Sequence, residues 1–64
     1  MRVIKDSDFG DVTLEYKMLD LDGTNLEEVV QVTSDTGEFL GNIFSVPIED
    51  VTERDINDNC SYAA

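Results

Sequence analysis

The residues best suited to chemistry in this chain are Asp20 and Asp22, one residue apart in the stretch KMLDLDGTNL from Lys17 to Leu26. Two carboxylates so spaced, followed by Gly23 and Thr24, can divide nucleophilic and acid–base work or share a divalent cation. The cation option is poor in ligands. With Gly23 at the glycine position of an EF-hand loop, Met18 and Val29 fall where the first and last carboxylate ligands belong. Asp20, Asp22 and Glu27 or Glu28 would then hold at most a weak, largely hydrated ion, so no specific metal and no cofactor is expected. Other reactive groups are sparse: there is no histidine to act as a base, no Ser–His or Cys–His pair, and no glycine-rich phosphate cradle. The lone cysteine, Cys60, stands among acidic neighbours that raise a thiol's pKa and dull it.

The run Asp20 to Thr24, Asp-x-Asp-Gly-Thr, resembles the nucleophile loop of the haloacid-dehalogenase-type phosphatases. That resemblance implies Asp20 as nucleophile, Asp22 as general acid–base, and magnesium organised by both. Three features set it aside. The preceding segment alternates as an antiparallel strand does, whereas a strand buried on both faces is continuously apolar. No Lys or Arg lies between Lys17 and Arg54 to stabilise phosphoryl oxygens. A fold of several βαβ units, each of ~30 residues, does not fit in 64 residues. Asn25 also stands where that family keeps an apolar residue. The expectation is a turn between two strands, and a protein that is not an enzyme.

Charge is the dominant compositional fact. Fifteen Asp and Glu face four Lys and Arg, a net −11. Nine of those acids lie in the base-free interval: Asp20, Asp22, Glu27, Glu28, Asp35, Glu38, Glu49, Asp50 and Glu53. Such a surface repels nucleic acid and anionic lipid and speeds encounter with basic partners. A chain this acidic invites disorder, but apolar residues make up 41% of it and fall in strand-like patterns. A domain of this size buries only about 60% of its unfolded surface. One cysteine without histidine supplies neither an internal disulfide nor a Cys/His zinc site. Self-association as a homodimer would cover apolar surface that one copy leaves open. No secretory leader and no run of ~20 apolar residues is visible. With an unpaired cysteine, that points to a soluble, cytoplasmic protein.

The elements that must position these groups are mainly strands. Val3 and Ile4 fit a short opening strand over 1–5, and residues 6–11, DSDFGD, are turn material. In DVTLEYKML, Val12, Leu14, Tyr16 and Met18 alternate with Thr13, Glu15 and Lys17, so one face packs on a core and the other is wet. Residues 20–25 form a turn. Leu26–Ser34 supports two readings. As a helix it has Asn25 as N-cap and Glu28 completing a capping box. As a strand it has the β-branched run Val29, Val30, Val32 and Thr33. A type I turn at Ser34–Gly37 favours the strand, after one helical turn at Leu26–Glu28, because a hairpin needs strands on both sides. Phe44, Val46 and Ile48 then alternate with Ser45 and Pro47, with a bulge at Gly41–Asn42 and an edge position for Pro47. PIEDVTERDIND starts a short helix, with Val51 pairing Ile48.

The fold expectation is mainly β: about four short antiparallel strands in a small sheet or open SH3-like barrel, with a short C-terminal helix. A helix at Leu26–Ser34 would make it α+β. EFLGNIFSVPIEDV looks like the closing strand and helical turn of small SH3-like barrels. Residues 1–58 form one acidic domain and 59–64 a flexible tail. The final NDNCSYAA is similar to the tag that bacterial trans-translation appends, which implies a degradation signal ending in Ala63-Ala64.

The function expected is an acidic protein-binding module. It would occupy a basic or nucleic-acid-binding protein as phage-type inhibitors and nucleic-acid mimics do, carboxylates standing in for phosphates. The expected surface comprises Asp20, Asp22, Glu27, Glu28, Glu49, Asp50 and Glu53, with Phe39 and Phe44 as apolar anchors. No direct contact with nucleic acid or membrane is expected. The alternative is an accessory or assembly module that pairs with a larger protein through a strand edge and an apolar face.

Overall fold

The computed structural model describes residues 1–20, 22–23 and 25–62. Four antiparallel strands, β1 (Arg2–Ser7), β2 (Gly10–Asp20), β3 (Leu26–Ser34) and β4 (Phe39–Ile43), follow one another in a single open sheet of order β1-β2-β3-β4. A 3-10 turn (Ile48–Asp50) and one short helix, α1 (Glu53–Asn59), follow. The mainly β expectation holds. The sheet stays open rather than closing into a barrel, with β1 and β4 at its borders.

Each turn has a local chemical cause. At the first, the Ser7 hydroxyl donates to the Gly10 carbonyl at 2.6 Å and accepts the Phe9 N–H at 3.1 Å, while Gly10 takes φ +76°. Asp6, at φ +58°, marks a bulge between Ile4 and Ser7 and gives its N–H to the Asp11 carboxylate. At the third, Gly37 donates back to the Ser34 carbonyl, Gly37 sits at φ +87°, and the Ser34 N–H bonds Glu38. This is the expected type I turn, closed by a left-handed glycine.

β2 and β3 pair without interruption from Val12↔Ser34 to Asp20↔Leu26. Leu26–Ser34 is therefore strand throughout, with neither the helix nor the helical turn at Leu26–Glu28. The side-chain alternation of Val30, Val32 and Ser34 against Tyr16, Leu14 and Val12 outweighs the capping-box pattern. Opposite Val32–Thr33 the ladder shifts, because Gly41 and Phe39 are the partners and Leu40 is the extra residue. The bulge is real but centres on Leu40, one step earlier than Gly41–Asn42.

β4 ends at Ile43, so the alternation of Phe44, Val46 and Ile48 does not make a strand. Ser45 at φ +64° turns the chain out of the sheet and Pro47 leads into the 3-10 turn. Residues 44–51 then form a strap, linking to β2 through Tyr16 and to β1 through Arg2. The Ile48 N–H donates to the Tyr16 hydroxyl at 2.9 Å. Arg2 Nη1 donates to the carbonyls of Ile48 and Val51, both at 2.9 Å. The single helix expected from Pro47 onward is broken at Val51 and Thr52, both extended. A capping box between Thr52 and Asp55 starts α1 afresh.

The core lies between the sheet and this cover. Val12, Leu14, Val30, Val32, Leu40, Ile43, Val51 and Ile56 are buried together, with Ile4, Phe9, Val46, Ile48 and Cys60 against them. At Gly41 a Cβ would fall onto the Asn59 carbonyl oxygen, so only glycine lets the end of α1 sit this close. Cys60 then bridges Gly41, Ser61 donates to the Leu40 carbonyl at 3.0 Å, and the Tyr62 ring rests 5.1 Å from Phe9. These contacts fall within residues 59–64, expected as a flexible tail. Ala63 and Ala64, which carry the proposed degradation signal, lie outside the described residues.

Candidate functional site

The sheet is longer than its neighbours allow. β1 pairs β2 only from Gly10 to Leu14, and β4 pairs β3 only from Val30 to Thr33. Beyond those limits, residues 15–20 of β2 and 26–29 of β3 continue as a two-stranded ribbon, an arm with no further strand on either side among the described residues. A two-stranded ribbon is marginal in water on its own; this one is held by its continuity with the sheet.

The arm presents one apolar face. Tyr16 and Met18 lie on the same side of β2 as buried Val12 and Leu14, yet are 45% and 55% exposed. Leu26, diagonal to Met18 on β3, is 66% exposed. The alternation that assigns Tyr16 and Met18 to the core is correct in facing and wrong in depth, because the strap stops at Tyr16. Across from Met18 stands Glu28, and across from Leu26 stands Asp20. Where the strap meets the arm there is an open groove of about 270 Å³, lined by Tyr16, Glu28, Val30, Ser45, Val46 and Pro47.

The expected site residues divide among several places. Asp20, Asp22, Glu27 and Glu28 are exposed on the arm and its turn; Glu49 and Asp50 are exposed on the 3-10 turn, and Glu53 opens α1. Phe39 starts β4 beside the Ser34–Gly37 turn, at the end of the sheet away from the arm. Phe44 follows the last β4 residue, one step beyond the Val30–Ile43 pair. The arm therefore gathers four of the seven acids but neither phenylalanine. Its apolar content comes from Tyr16, Met18 and Leu26, which sequence reasoning did not place in the site. The signal was present: an apolar strand face whose cross-strand partners turn acidic at Glu28 and Asp20 cannot stay in a core.

The four basic residues are occupied within the molecule. Lys5 pairs with Asp11 at 3.5 Å, Lys17 with Glu15 at 3.7 Å and Arg54 with Asp58 at 3.8 Å, while Arg2 serves the strap carbonyls. These exposed pairs contribute little to stability; Lys17 and Glu15 pair on the arm itself, while neither Glu27 nor Glu28 forms an ion pair among the described residues. Among the titrating groups, the Asp11 carboxyl is held below its usual range, first by the Asp6 N–H and then by Lys5. Burial raises the Cys60 thiol, rather than the acidic neighbours inferred from sequence.

Asp20, expected in the turn, is the last residue of β2, paired with Leu26, and Asp22 lies in the connection to β3. The Asn25 N–H donates to Asp22 Oδ1 at 3.2 Å and Gly23 takes φ +82°; Leu21 and Thr24 lie outside the described residues. Among the described residues, no group of three Asp, Glu, His or Cys is placed to hold a metal ion, and no helix is long and apolar enough to cross a membrane. Comparison with protein families, curated proteins and solved structures finds no significant match to this chain.

Proposed function

We propose that this protein is a non-enzymatic acidic binding module that engages a basic surface of another protein, in the manner of phage-type inhibitors and nucleic-acid mimics acting in the cytoplasm. One observation carries the reading: Glu27 and Glu28 stand exposed beside an apolar face with no ion pair among the described residues, while Lys17, the arm's own cation, is engaged by Glu15. Opposite charge would steer the encounter, and apolar contact would hold it. Carboxylates also occupy other sides of the molecule, at Asp8, Asp35 and Glu38, so the arm rather than overall charge sets where the partner sits.

The second reading, an accessory module that joins a larger protein through a strand edge, is favoured by the unpaired flanks of the arm. Salt separates the two. Immobilised protein is exposed to cell lysate at about 50 and about 500 mM NaCl, spanning weak to strong screening. The first reading expects basic proteins retained at low salt, released at high salt, and lost from an Asp20→Asn, Glu27→Gln, Glu28→Gln variant. Retention of no basic protein at low salt overturns it. Retention undiminished at high salt favours the accessory reading.

A further inference from the structure

We infer that the arm binds an extended basic segment of its partner as an added β-strand along the free edge of β3, from Leu26 to Glu28, with one Lys or Arg seated in the Tyr16–Glu28 groove. This deepens the proposed function and rests on it. Three observations converge on Glu28 and the edge of β3 that carries it.

The first is backbone. β4 stops at Ile43 opposite Val30; Val29 is still buried, but from Leu26 to Glu28 the exposed edge of β3 has no neighbouring strand among the described residues. Alternate N–H and C=O groups of an antiparallel strand point to each side, so this edge offers a short unpaired ladder. A strand added there would lie in line with β4 and continue its place in the sheet. Main-chain bonds supply affinity in such additions, and pockets for alternate side chains supply selectivity.

The second is charge. The edge carries Glu27 on one face and Glu28 on the other, with Asp20 and Asp22 at the tip, and neither glutamate has an ion-pair partner among the described residues. On the opposite flank of the arm, Lys17 already engages Glu15. The β3 flank is thus the side a cationic strand prefers. A second copy of this chain would bring the same carboxylates against themselves, and like charges across a strand pair are destabilising.

The third is the groove. Tyr16 presents part of its ring while its hydroxyl is fixed by the Ile48 N–H, and Val46 and Pro47 face it across the opening. Glu28 lines the same groove. A long basic side chain fits that combination: its methylene stem covers the apolar wall, its charge meets the ring, and its head reaches the carboxylate. Met18 and Leu26 then receive apolar residues two positions away along the added strand.

The test uses the full chain and two synthetic octapeptides of alternating Lys and Val. One has a free backbone; the other is N-methylated at every second residue, which blocks ladder bonds and preserves charge. Binding is read by fluorescence anisotropy, and the site by amide hydrogen exchange. The expected result is at least about tenfold weaker binding of the methylated peptide. Slowed exchange confined to amides of residues 26–28 should accompany binding of the free peptide, with a several-fold loss in Glu28→Gln. Equal binding of the two peptides overturns strand addition and leaves the basic-partner reading standing. Failure of both to bind at low salt overturns the inference and that reading together. A concentration-dependent dimer through the arm, seen by sedimentation without peptide, also overturns the inference, because the edge would be taken by a second copy.

Discussion

The Tyr16 hydroxyl accepts the backbone N–H of Ile48 at 2.9 Å, joining the point where β2 leaves the core to the strap that crosses it. The same strap is held from the other side by Arg2, through the Ile48 and Val51 carbonyls. Together they decide where cover ends and open arm begins.

Tyr16→Phe removes the acceptor and leaves the ring. The site is exposed enough for water to meet the Ile48 N–H, so the expected loss is that of one net hydrogen bond, about 0.5–1.5 kcal/mol. Urea unfolding measures it. An unchanged midpoint would show that the strap does not depend on this contact.

Gly41→Ala sets a methyl group against the Asn59 carbonyl and 3.1 Å from the Cys60 Cα. Backbone rather than a flexible side chain is in the way, so relief requires the end of α1 to lift from β4. Destabilisation of about 1–3 kcal/mol is expected, as for overpacking elsewhere. The Ser61 amide, bonded to the Leu40 carbonyl, should lose exchange protection before the amides of β2 and β3 do.

Acid acts on Asp11 in a defined direction. Its pKa is lower in the folded protein, first through the Asp6 N–H and then through Lys5. Its contribution is therefore present above the unfolded carboxyl pKa and is lost as pH falls through the lower folded value. The stability difference between the native sequence and Asp11→Asn should shrink on acidification below about pH 4. An Asp11 midpoint at or above that of free aspartate, measured by carbon-detected NMR, would contradict this.

Cys60 should be a slow thiol. Burial raises its pKa, so at mildly alkaline pH less of it is thiolate than in the unfolded chain. A chromogenic disulfide reagent should react several-fold more slowly with the folded protein than with the same protein in urea, by the thiolate fraction and restricted access together. Equal rates would mean that the end of α1 opens readily.

Much of the fold was legible. The alternation of residues 12–18, the β-branched run at 29–33 and the glycine at position 37 identify β2, β3 and the turn between β3 and β4 from local chemistry alone. Phe44, Val46 and Ile48 misled because Val46 and Ile48 pack a strap against the core with no sheet ladder to enforce the alternation, while Phe44 stands exposed. The positive φ of Ser45, unusual for serine, gives no sequence signal. The proposed site was half legible. Charge identified Asp20, Asp22, Glu27 and Glu28, but depth could not be read from β2 alone. Tyr16 and Met18 look like core until the reach of the strap is known, because exposure there depends on how far the covering segment runs over that face.

The short stretch after α1 has a protective consequence. Cys60 and Ser61 lie along the outer side of β4 and occupy part of its hydrogen-bonding groups. A protease that trimmed the chain back to Asn59 would uncap a template of main-chain donors and acceptors, and such borders recruit other chains. The trimmed form should deposit as fibrous or amorphous material at concentrations where the intact protein stays clear.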